Sequence, residues 1–353
     1  MRCVVGLLAF SRPGSIPLPP LPVTVDSHLH LWPTTSPLVP PPPSPHSPCD
    51  AADAVIASST DFSIVTQPIQ LGHDHSYLAD EIAPHKTLYG VALFDPTQPE
   101  GYEIDAYNAL QPSKFIGMRF DPSLHPPPLP GTPAVPFKTL HIPTLRAFKH
   151  LGERHDGPNP TNAPNGVASF LFTNSLTPNY DALLELISAS PTTPVVLDHF
   201  AFAKFTREGD VSFQLMLDLL KDAPSVNVRV SAGFRMFVEH PDPAIGLQVR
   251  RAKRGGLERT RCQVPPSLCS RFVKHLSHIL TLNNTLMQVS PKRLYEERIQ
   301  PLLAAVREKC LYGSDWPFVE DYKGEYERMR ALKEPELMGG NAMKLYNIEK
   351  PGL

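Results

Sequence analysis

Cysteine is scarce in this chain, at five residues among 353. The five are scattered, and no two form a C-x-x-C pair: Cys3, Cys49, Cys262, Cys269 and Cys310. An odd number of isolated cysteines argues against a disulfide scaffold and against a zinc site built from cysteines. The sequence therefore predicts reduced thiols and a cytoplasmic location.

An excess of charge of either sign is also lacking, because 33 Lys and Arg oppose 35 Asp and Glu and leave a formal net charge of -2. Such a chain gives no reason to expect a nucleic acid or an anionic membrane as a partner. No apolar run is long enough to span a bilayer, and the short one at 3–10 lacks the cleavage site of a secretory signal. A small-molecule substrate remains the expected partner, and the oligomeric state stays open.

Proline, in contrast, is abundant, with 42 residues against a usual share of about 5%. The prolines are clustered, and hydrophobic residues still make up 41% of the chain, enough for a sizeable core. We therefore expect irregular loops around an ordered core. The predicted organisation is a disordered extension over 1–21, a single domain over 22–348 and a tail over 349–353.

Eight short hydrophobic runs predict eight β-strands, continuous or nearly so, as expected where both faces of a parallel sheet are covered. They are Val23–His28, Phe62–Gln67, Leu88–Phe94, Phe115–Phe120, Val167–Phe172, Pro194–His199, Val226–Ser231 and Lys309–Asp315. Helical periodicity appears between them, at His75–Ala83, Tyr102–Leu110, Thr139–Leu151, Tyr180–Ser188, Val211–Leu220 and Tyr295–Arg307. The alternation predicts βαβ units. Eight of them favour an α/β fold of the (β/α)8 TIM-like barrel type, with an open doubly wound sheet as the alternative.

Three segments do not fit a compact barrel, and each follows a predicted strand. Two are proline-rich, at 33–48 and 122–136, and the third, 241–293, carries a run of basic residues. Barrel enzymes build their sites at the carboxyl ends of the strands, so the segments are either lids or insertions. For 241–293 we favour a family-specific insertion or coding sequence carried over from an unspliced intron, because so long a loop without clear structure is uncommon in a compact domain.

Candidate catalytic residues lie at the ends of the first and last strands. His28 and His30, two positions apart, point to the same side of an extended strand, and neutral imidazoles at this spacing are typical zinc ligands. Asp315 lies between a glycine that permits a tight turn and a proline that stops the strand. There it can accept a proton from water that attacks a carbonyl carbon. These groups share a pocket only if the chain closes into a ring.

His199 ends the sixth predicted strand. Taken alone it is explained as a satisfied buried histidine, but its placement beside two similar histidines favours a role in the site. Asp198 precedes it, so we expect Asp198 to point the other way and to be structural.

Arg119 and Arg229 lie inside apolar strands, where an unpaired arginine is rare. They either clamp a carboxylate of the substrate with parallel hydrogen bonds or form structural ion pairs. Arg235, in the loop after the seventh strand, is a weaker candidate.

Together these motifs resemble the amidohydrolase superfamily in its amidohydrolase-related (amidohydrolase 2) branch, above all 2-pyrone-4,6-dicarboxylate hydrolases and sugar-lactone hydrolases. The motifs are VDSHLHLW at 25–32, GMRFD at 117–121, VVLDHF at 195–200, VRVSA at 228–232, YGSDWP at 312–317 and GGNAMKLY at 339–346. The resemblance covers roughly 22–120, 166–240 and 295–348, and it fails over the proline-rich segments and over 241–293.

The resemblance implies a TIM-like barrel that hydrolyses the C–O ester bond of a lactone, usually one that bears carboxylates. It implies that Asp315 is the general base that activates water. The three histidines would polarise the lactone carbonyl, directly or through a divalent metal, and the two strand arginines would hold substrate carboxylates.

The fifth strand departs from part of this superfamily. Binuclear members carry a lysine there that bridges two metals, whereas this strand reads VASFLF. A two-metal site is therefore not expected. The remaining ligands suit one zinc with a water in the open position: His28, His30, His199 and Asp315. The sequence leaves open whether the protein needs no cofactor or one divalent metal.

Our leading hypothesis is a hydrolase that opens a lactone or a similar cyclic ester. A mononuclear zinc decarboxylase of aromatic or unsaturated acids would use the same ligands and is the first alternative. The second is a catalytically degenerate barrel whose site is blocked by 241–293.

Overall fold

Eight parallel strands, hydrogen-bonded in the order of the sequence, form one sheet. They are β1 (Val25–Leu29), β2 (Phe62–Thr66), β3 (Leu88–Leu93), β4 (Phe115–Phe120), β5 (Val167–Phe170), β6 (Val195–Leu197), β7 (Val226–Val230) and β8 (Cys310–Tyr312). Nearly all strand residues are buried, which explains why the strands read as continuous apolar runs.

The computed structural model describes residues 22–32, 50–58, 60–98, 101–110, 114–122, 142–156, 166–172, 176–204, 206–231, 294–317 and 322–348. Several predicted features lie outside these residues. They are the extension 1–21, the segment 33–48, all of 122–136 beyond its first residue, Arg235, the segment 241–293 and the tail 349–353.

Helices connect the strands and cover the outside of the sheet. They are α1 (Ala51–Ser58), α2 (Ser76–Ile82), α3 (Tyr102–Ala109), α4 (Ile142–Asp156), α5 (Tyr180–Ala189), α6 (Arg207–Asp222), α7 (Gln300–Val306), α8 (Tyr322–Ala331) and α9 (Asn341–Tyr346). π-helical turns at Tyr295–Ile299 and Glu336–Gly340 lead into α7 and α9. In the described parts of the chain, no helix combines the length and the apolar character that crossing a membrane requires.

The two edges of the sheet meet at the carboxyl ends of β1 and β8. Leu29 and Trp316 form a parallel bridge. The Asp315 amide donates to the His28 carbonyl over 2.8 Å, and the His30 amide donates to the Trp316 carbonyl, also over 2.8 Å. These bonds close the sheet and confirm the (β/α)8 TIM barrel that the sequence predicts.

An apolar cluster fills the interior of the barrel. It contains side chains from seven strands, which can meet only inside a closed sheet: Val25, Phe62, Ile64, Val91, Ile116, Val167, Val196 and Leu311. Tyr346 of α9 and Ile348 pack against the same cluster. The C-terminal helix therefore covers the interior at one mouth and leaves the carboxyl ends of the strands to the site.

Two of the strands that end earlier than the sequence predicts have a candidate catalytic residue at the predicted end. β6 stops at Leu197 and β8 at Tyr312, whereas the apolar runs suggest ends at His199 and Asp315. Both of those residues have positive φ angles, 51° and 55°, which an extended strand does not permit. The candidate catalytic residues of these strands thus lie just beyond them, on tight turns.

A buried carboxylate reinforces the closure of the barrel. Asp26, on β1, is fully buried, and its Oδ1 accepts from the amides of His28 over 3.1 Å and Ser314 over 2.9 Å. Burial raises the pKa of Asp26 to about 6, although the hydrogen bonds from Ser314 and His28 act in the opposite direction.

This arrangement predicts that Asp26→Asn changes the pH dependence of stability. Because the folded pKa rises from 3.8 to about 6, the stability contributed by Asp26 is complete below 3.8 and is lost as the pH increases through 6. A shift of about two units corresponds to about 3 kcal/mol. Between acidic and neutral pH, the free energy of unfolding of the wild type should fall relative to that of the variant by up to about 3 kcal/mol.

Denaturant titrations at pH 4 and pH 7.5 measure this difference. Asp80→Asn, at an exposed position on α2, is the matched control for the loss of a carboxylate. A difference between Asp26→Asn and the wild type that is the same at both pH values would contradict the prediction.

Candidate active site at the carboxyl ends of the strands

A β-bulge in β1 directs two consecutive residues into the barrel. The pairing with β2 runs from Asp26 opposite Ser63 to Leu29 opposite Val65, so β1 carries one extra residue. Side chains of neighbouring strand residues normally face opposite sides, and a bulge re-aims one of them. Ser27 and His28 consequently contact the same interior side chain, Arg229.

Four predicted residues converge above this bulge. His28 Nε2 lies 3.1 Å from His30 Nε2. Asp315 Oδ1 lies 3.3 Å from His28 Nε2, 3.2 Å from His30 Nε2 and 3.7 Å from His199 Nε2. All four side chains are buried. The structure therefore brings together the imidazoles near the start of the chain and the carboxylate near its end.

His199 reaches the cluster through a left-handed backbone turn. Four consecutive residues without a glycine, His199 to Phe202, have φ angles of 51° to 54°, a conformation that costs about 1–2 kcal/mol per residue. Phe200, Ala201 and Phe202 are buried, so their packing offsets this cost. Such strain persists where surrounding structure imposes it, commonly at functional sites.

Arg298 forms hydrogen bonds with the backbone that follows this turn. Its Nε donates to the Ala203 carbonyl over 3.4 Å, and its Nη2 donates to the Lys204 carbonyl over 3.3 Å and to Asp210 Oδ1 over 2.5 Å. The side chain is almost fully buried. It therefore links the segment after His199 to the first turn of α6.

Asp198 also points into the site, so the prediction that it faces away was wrong. Its Oδ1 accepts from Ser169 Oγ over 2.9 Å and from Arg229, and its Oδ2 lies 3.3 Å from Arg119 Nε. The strand ends at Leu197, and the left-handed turn that follows cancels the alternation of side chains on which the prediction depended. Burial alone would raise the pKa of Asp198, but the two guanidinium groups outweigh it and hold the pKa below its usual value.

Arg229 lies beneath the histidines and is fully buried. Its donors are directed at protein groups: Nε at Ser27 Oγ over 3.2 Å, Nη1 at His28 Nδ1 over 2.8 Å and Nη2 at the Tyr346 hydroxyl over 2.9 Å. Asp198 neutralises its charge. Of the two roles that the sequence allows, this geometry is that of a structural ion pair.

Arg119 lies near the carboxyl end of β4, also almost fully buried, with Asp198 as an ion-pair partner. Two arginines thus share the single carboxylate of Asp198.

The partners of the histidines determine where their hydrogens are. His30 Nδ1 lies 2.7 Å from the Thr66 carbonyl, which only accepts, so Nδ1 carries the hydrogen and Nε2 has a lone pair. Burial lowers the pKa of His30, and burial with the neighbouring charge of Arg229 lowers that of His28. Both rings are therefore neutral at neutral pH.

This assignment places two acceptors side by side, His30 Nε2 and Asp315 Oδ1, 3.2 Å apart. An ionised carboxylate carries only lone pairs, so a hydrogen-bond donor or a cation placed between the two atoms is favourable, and His28 Nε2 lies 3.1 Å and 3.3 Å from them. The donor atoms of His28, His30 and Asp315 lie 3.1 to 3.3 Å apart. Ligands around a tetrahedral zinc lie about 3.3 Å apart, each about 2.0 Å from the metal. The spacing therefore fits one divalent ion.

Sequence reasoning missed several residues that build this site. Ser27, Ser169 and Tyr346 had no assigned role, although two of them stand in the quoted motifs. Ser231, which ends the predicted seventh strand, lies 2.8 Å from His199 Nδ1 and orients that ring. A polar residue inside an otherwise apolar strand was the signal available in the sequence. The serines show this signal, but it does not identify the groups that they contact.

Comparisons with solved structures find the same fold in several proteins. A probable 2-pyrone-4,6-dicarboxylic acid hydrolase from Acinetobacter baumannii, with citric acid bound, has a TM-score of 0.55 at 16% identity, over 92% of this chain and 99% of that chain. An amidohydrolase from Burkholderia multivorans with bound zinc has a TM-score of 0.54 at 16% identity, over 93% and 100% of the two chains. Amidohydrolase 2 from Bifidobacterium longum subsp. infantis has a TM-score of 0.52 at 13% identity, over 92% and 99%. At these identities the likeness shows the fold alone.

None of the curated proteins matches the chain. A family model, in contrast, matches residues 25–348, from the first strand to the residue that packs beneath the barrel. The model is that of the amidohydrolases called Amidohydro_2. The match includes every residue of the cluster described above, and the chain therefore belongs to the Amidohydro_2 family of amidohydrolases.

Proposed function

We propose that the protein hydrolyses a lactone or a similar cyclic ester that bears a carboxylate, with water activated by Asp315. The observation that carries the proposal is the position of Asp315 Oδ1, between 3.2 and 3.7 Å from the Nε2 atoms of three histidines. A carboxylate beside imidazoles offers a proton acceptor and a hydrogen-bond donor at one spot. Ester hydrolysis requires that combination.

In the proposed reaction, Asp315 accepts a proton from water while the water oxygen bonds to the lactone carbonyl carbon. Negative charge develops on the carbonyl oxygen, and a neutral N–H group such as that of His28 Nε2 stabilises it. The ring C–O bond then breaks, and the proton held by Asp315 passes to the departing ring oxygen. The product is an open-chain acid with a hydroxyl group, and the carboxyl group of Asp315 is again ionised.

Arg119 is the residue that we propose for recognising a substrate carboxylate. It is buried at the carboxyl end of β4, and it shares Asp198 with Arg229, so one carboxylate faces two guanidinium groups. The structurally similar protein from A. baumannii is a probable hydrolase of a dicarboxylic acid and has citric acid bound, which agrees with an anionic substrate. Arg229, fixed beneath the histidines, is less suited to this role.

One divalent metal also fits the spacing of the donor atoms. His28, His199 and Asp315, whose donor atoms all lie within 4.8 Å of one another, would hold it if His28 Nε2 were free of hydrogen, with His30 beside them. A bound zinc would lower the pKa of a water molecule and polarise a carbonyl. The mononuclear zinc decarboxylase remains the alternative that needs such an ion, and a need for about one zinc per chain would favour it.

The first prediction concerns the base. Asp315→Asn retains the shape of the side chain but cannot accept the proton, and loss of general base catalysis lowers rates by about 10²- to 10⁴-fold. We expect a decrease of that size in kcat on the active members of a panel of carboxylated lactones. Asp80→Asn is the surface control, and wild-type turnover by Asp315→Asn would contradict the assignment.

The second prediction concerns Arg119. Arg119→Lys keeps the charge but loses the planar fork that binds a carboxylate with two hydrogen bonds. Hydrogen bonds to charged groups contribute about 1.5–3 kcal/mol, so KM for a carboxylated lactone should rise by at least about tenfold. KM for an uncharged lactone with the same ring should not change.

Steady-state kinetics on the two lactones measures this contrast. Arg146→Lys, at an exposed position on α4, is the control for the substitution itself. An equal change in KM for both lactones in Arg119→Lys would show that Arg119 does not bind the substrate carboxylate.

A further inference from the structure

We infer that Arg229 fixes the ring hydrogen of His28 on Nε2, so that His28 acts as a hydrogen-bond donor in the site and not as a metal ligand. Arg229 is in this sense a positioning residue. The inference deepens the proposed function and rests on it for its catalytic meaning, but its geometry stands by itself.

The argument begins with the contact between Arg229 Nη1 and His28 Nδ1, 2.8 Å long and fully buried. A guanidinium group has donors and no acceptor, and it stays protonated in proteins. Nη1 cannot accept, so Nδ1 of His28 is the acceptor in this contact, and Nη1 shares its two hydrogens among Nδ1, Ser169 Oγ and Asp198 Oδ1. In a neutral imidazole one ring nitrogen accepts and the other carries the hydrogen, so the hydrogen is on Nε2.

The guanidinium group cannot turn away from His28, because it is held on several sides. Nε donates to Ser27 Oγ and Nη2 to the Tyr346 hydroxyl, while Nη1 also reaches Ser169 Oγ over 3.2 Å. Asp198 forms the ion pair that compensates the buried charge. Releasing Arg229 from His28 would require breaking this network inside the barrel, where unpaired polar groups are costly.

Nε2 of His28 is the atom that faces the cluster, 3.1 Å from His30 Nε2 and 3.3 Å from Asp315 Oδ1. Both neighbours have lone pairs, so the Nε2–H group is held between two acceptors. From this position it can donate to the oxygen of a lactone carbonyl. His28 thus supplies the hydrogen-bond donor that the proposed reaction needs.

A metal on Nε2 would require the opposite arrangement. The hydrogen would move to Nδ1 and face the donors of Arg229 at 2.8 Å, whereas metal-binding histidines normally donate their other N–H to a carboxylate, a carbonyl or water. The other acceptors near Nδ1 are more distant, with Thr66 Oγ1 at 3.4 Å and Asp198 Oδ1 at 3.9 Å. Arg229 therefore opposes zinc at His28, which is one of the three residues whose spacing suits a metal ion.

The test compares zinc affinities in the absence of substrate. The double variant Arg229→Gln, Asp198→Asn removes the guanidinium while keeping the net charge, which limits the loss of stability that an unpaired Asp198 would cause. Changes to the outer partner of a metal-binding histidine alter affinity by about 10- to 100-fold. We expect the double variant to bind zinc more tightly by a factor in that range, as measured by competition with a chromophoric chelator.

Asp198→Asn alone is the matched control, because it keeps the guanidinium and its contact with His28. It should show no gain in zinc affinity. A gain as large as that of the double variant would overturn the inference, and so would a double variant with wild-type affinity.

A second measurement needs no variant. In ¹⁵N NMR of the wild type without metal, His28 should show a protonated Nε2 and an unprotonated Nδ1, and the reverse pattern would overturn the inference. Neither readout involves a lactone, so failure here is distinct from failure of the proposed hydrolysis, which the Asp315→Asn kinetics decide.

Discussion

The hydrogen bonds that close the barrel between β1 and β8 are the interaction on which the rest of this structure depends. The His28 carbonyl and the His30 amide make two of them, and their partners are the Asp315 amide and the Trp316 carbonyl. The backbone that joins the two edges of the sheet is therefore the same backbone that carries the imidazoles and the carboxylate. Fold and site cannot be separated here, because any shift in the register of closure would move Asp315 relative to both histidines.

The strands could be predicted from the sequence because burial on both faces leaves an apolar run with little else in it. The pairing of His28 with His30 followed from their spacing, and closure of the barrel placed Asp315 beside them. Asp198 could not be predicted in the same way. Its direction depends on a left-handed turn in which His199 and three following residues have positive φ, and no glycine or asparagine marks such a turn in the sequence. Tertiary packing, not local preference, imposes that conformation.

The roles of the arginines were undecided in the sequence for a different reason. A buried arginine requires a partner, but the partner of Arg229 is Asp198, 31 residues away along the chain, and Ser27 lies 202 residues away. Only the ring of strands brings these groups together. Along the barrel axis, apolar side chains lie at the amino ends of the strands. The two arginines and Asp198 form the next layer, and the imidazoles lie at the carboxyl ends. Each layer determines the electrostatic environment of the next.

The hydrogen bond between Arg229 and Tyr346 has a consequence for protein synthesis. Tyr346 is the last residue of α9, whereas His28 belongs to the first strand, so the ribosome makes nearly the whole barrel before the hydroxyl that steadies Arg229 exists. A nascent chain can fold helices and pair early strands, but it cannot yet hold the imidazoles in their final arrangement. The arrangement of the imidazoles, Arg229 and the Tyr346 hydroxyl is therefore complete only after translation has passed both β8 and α9.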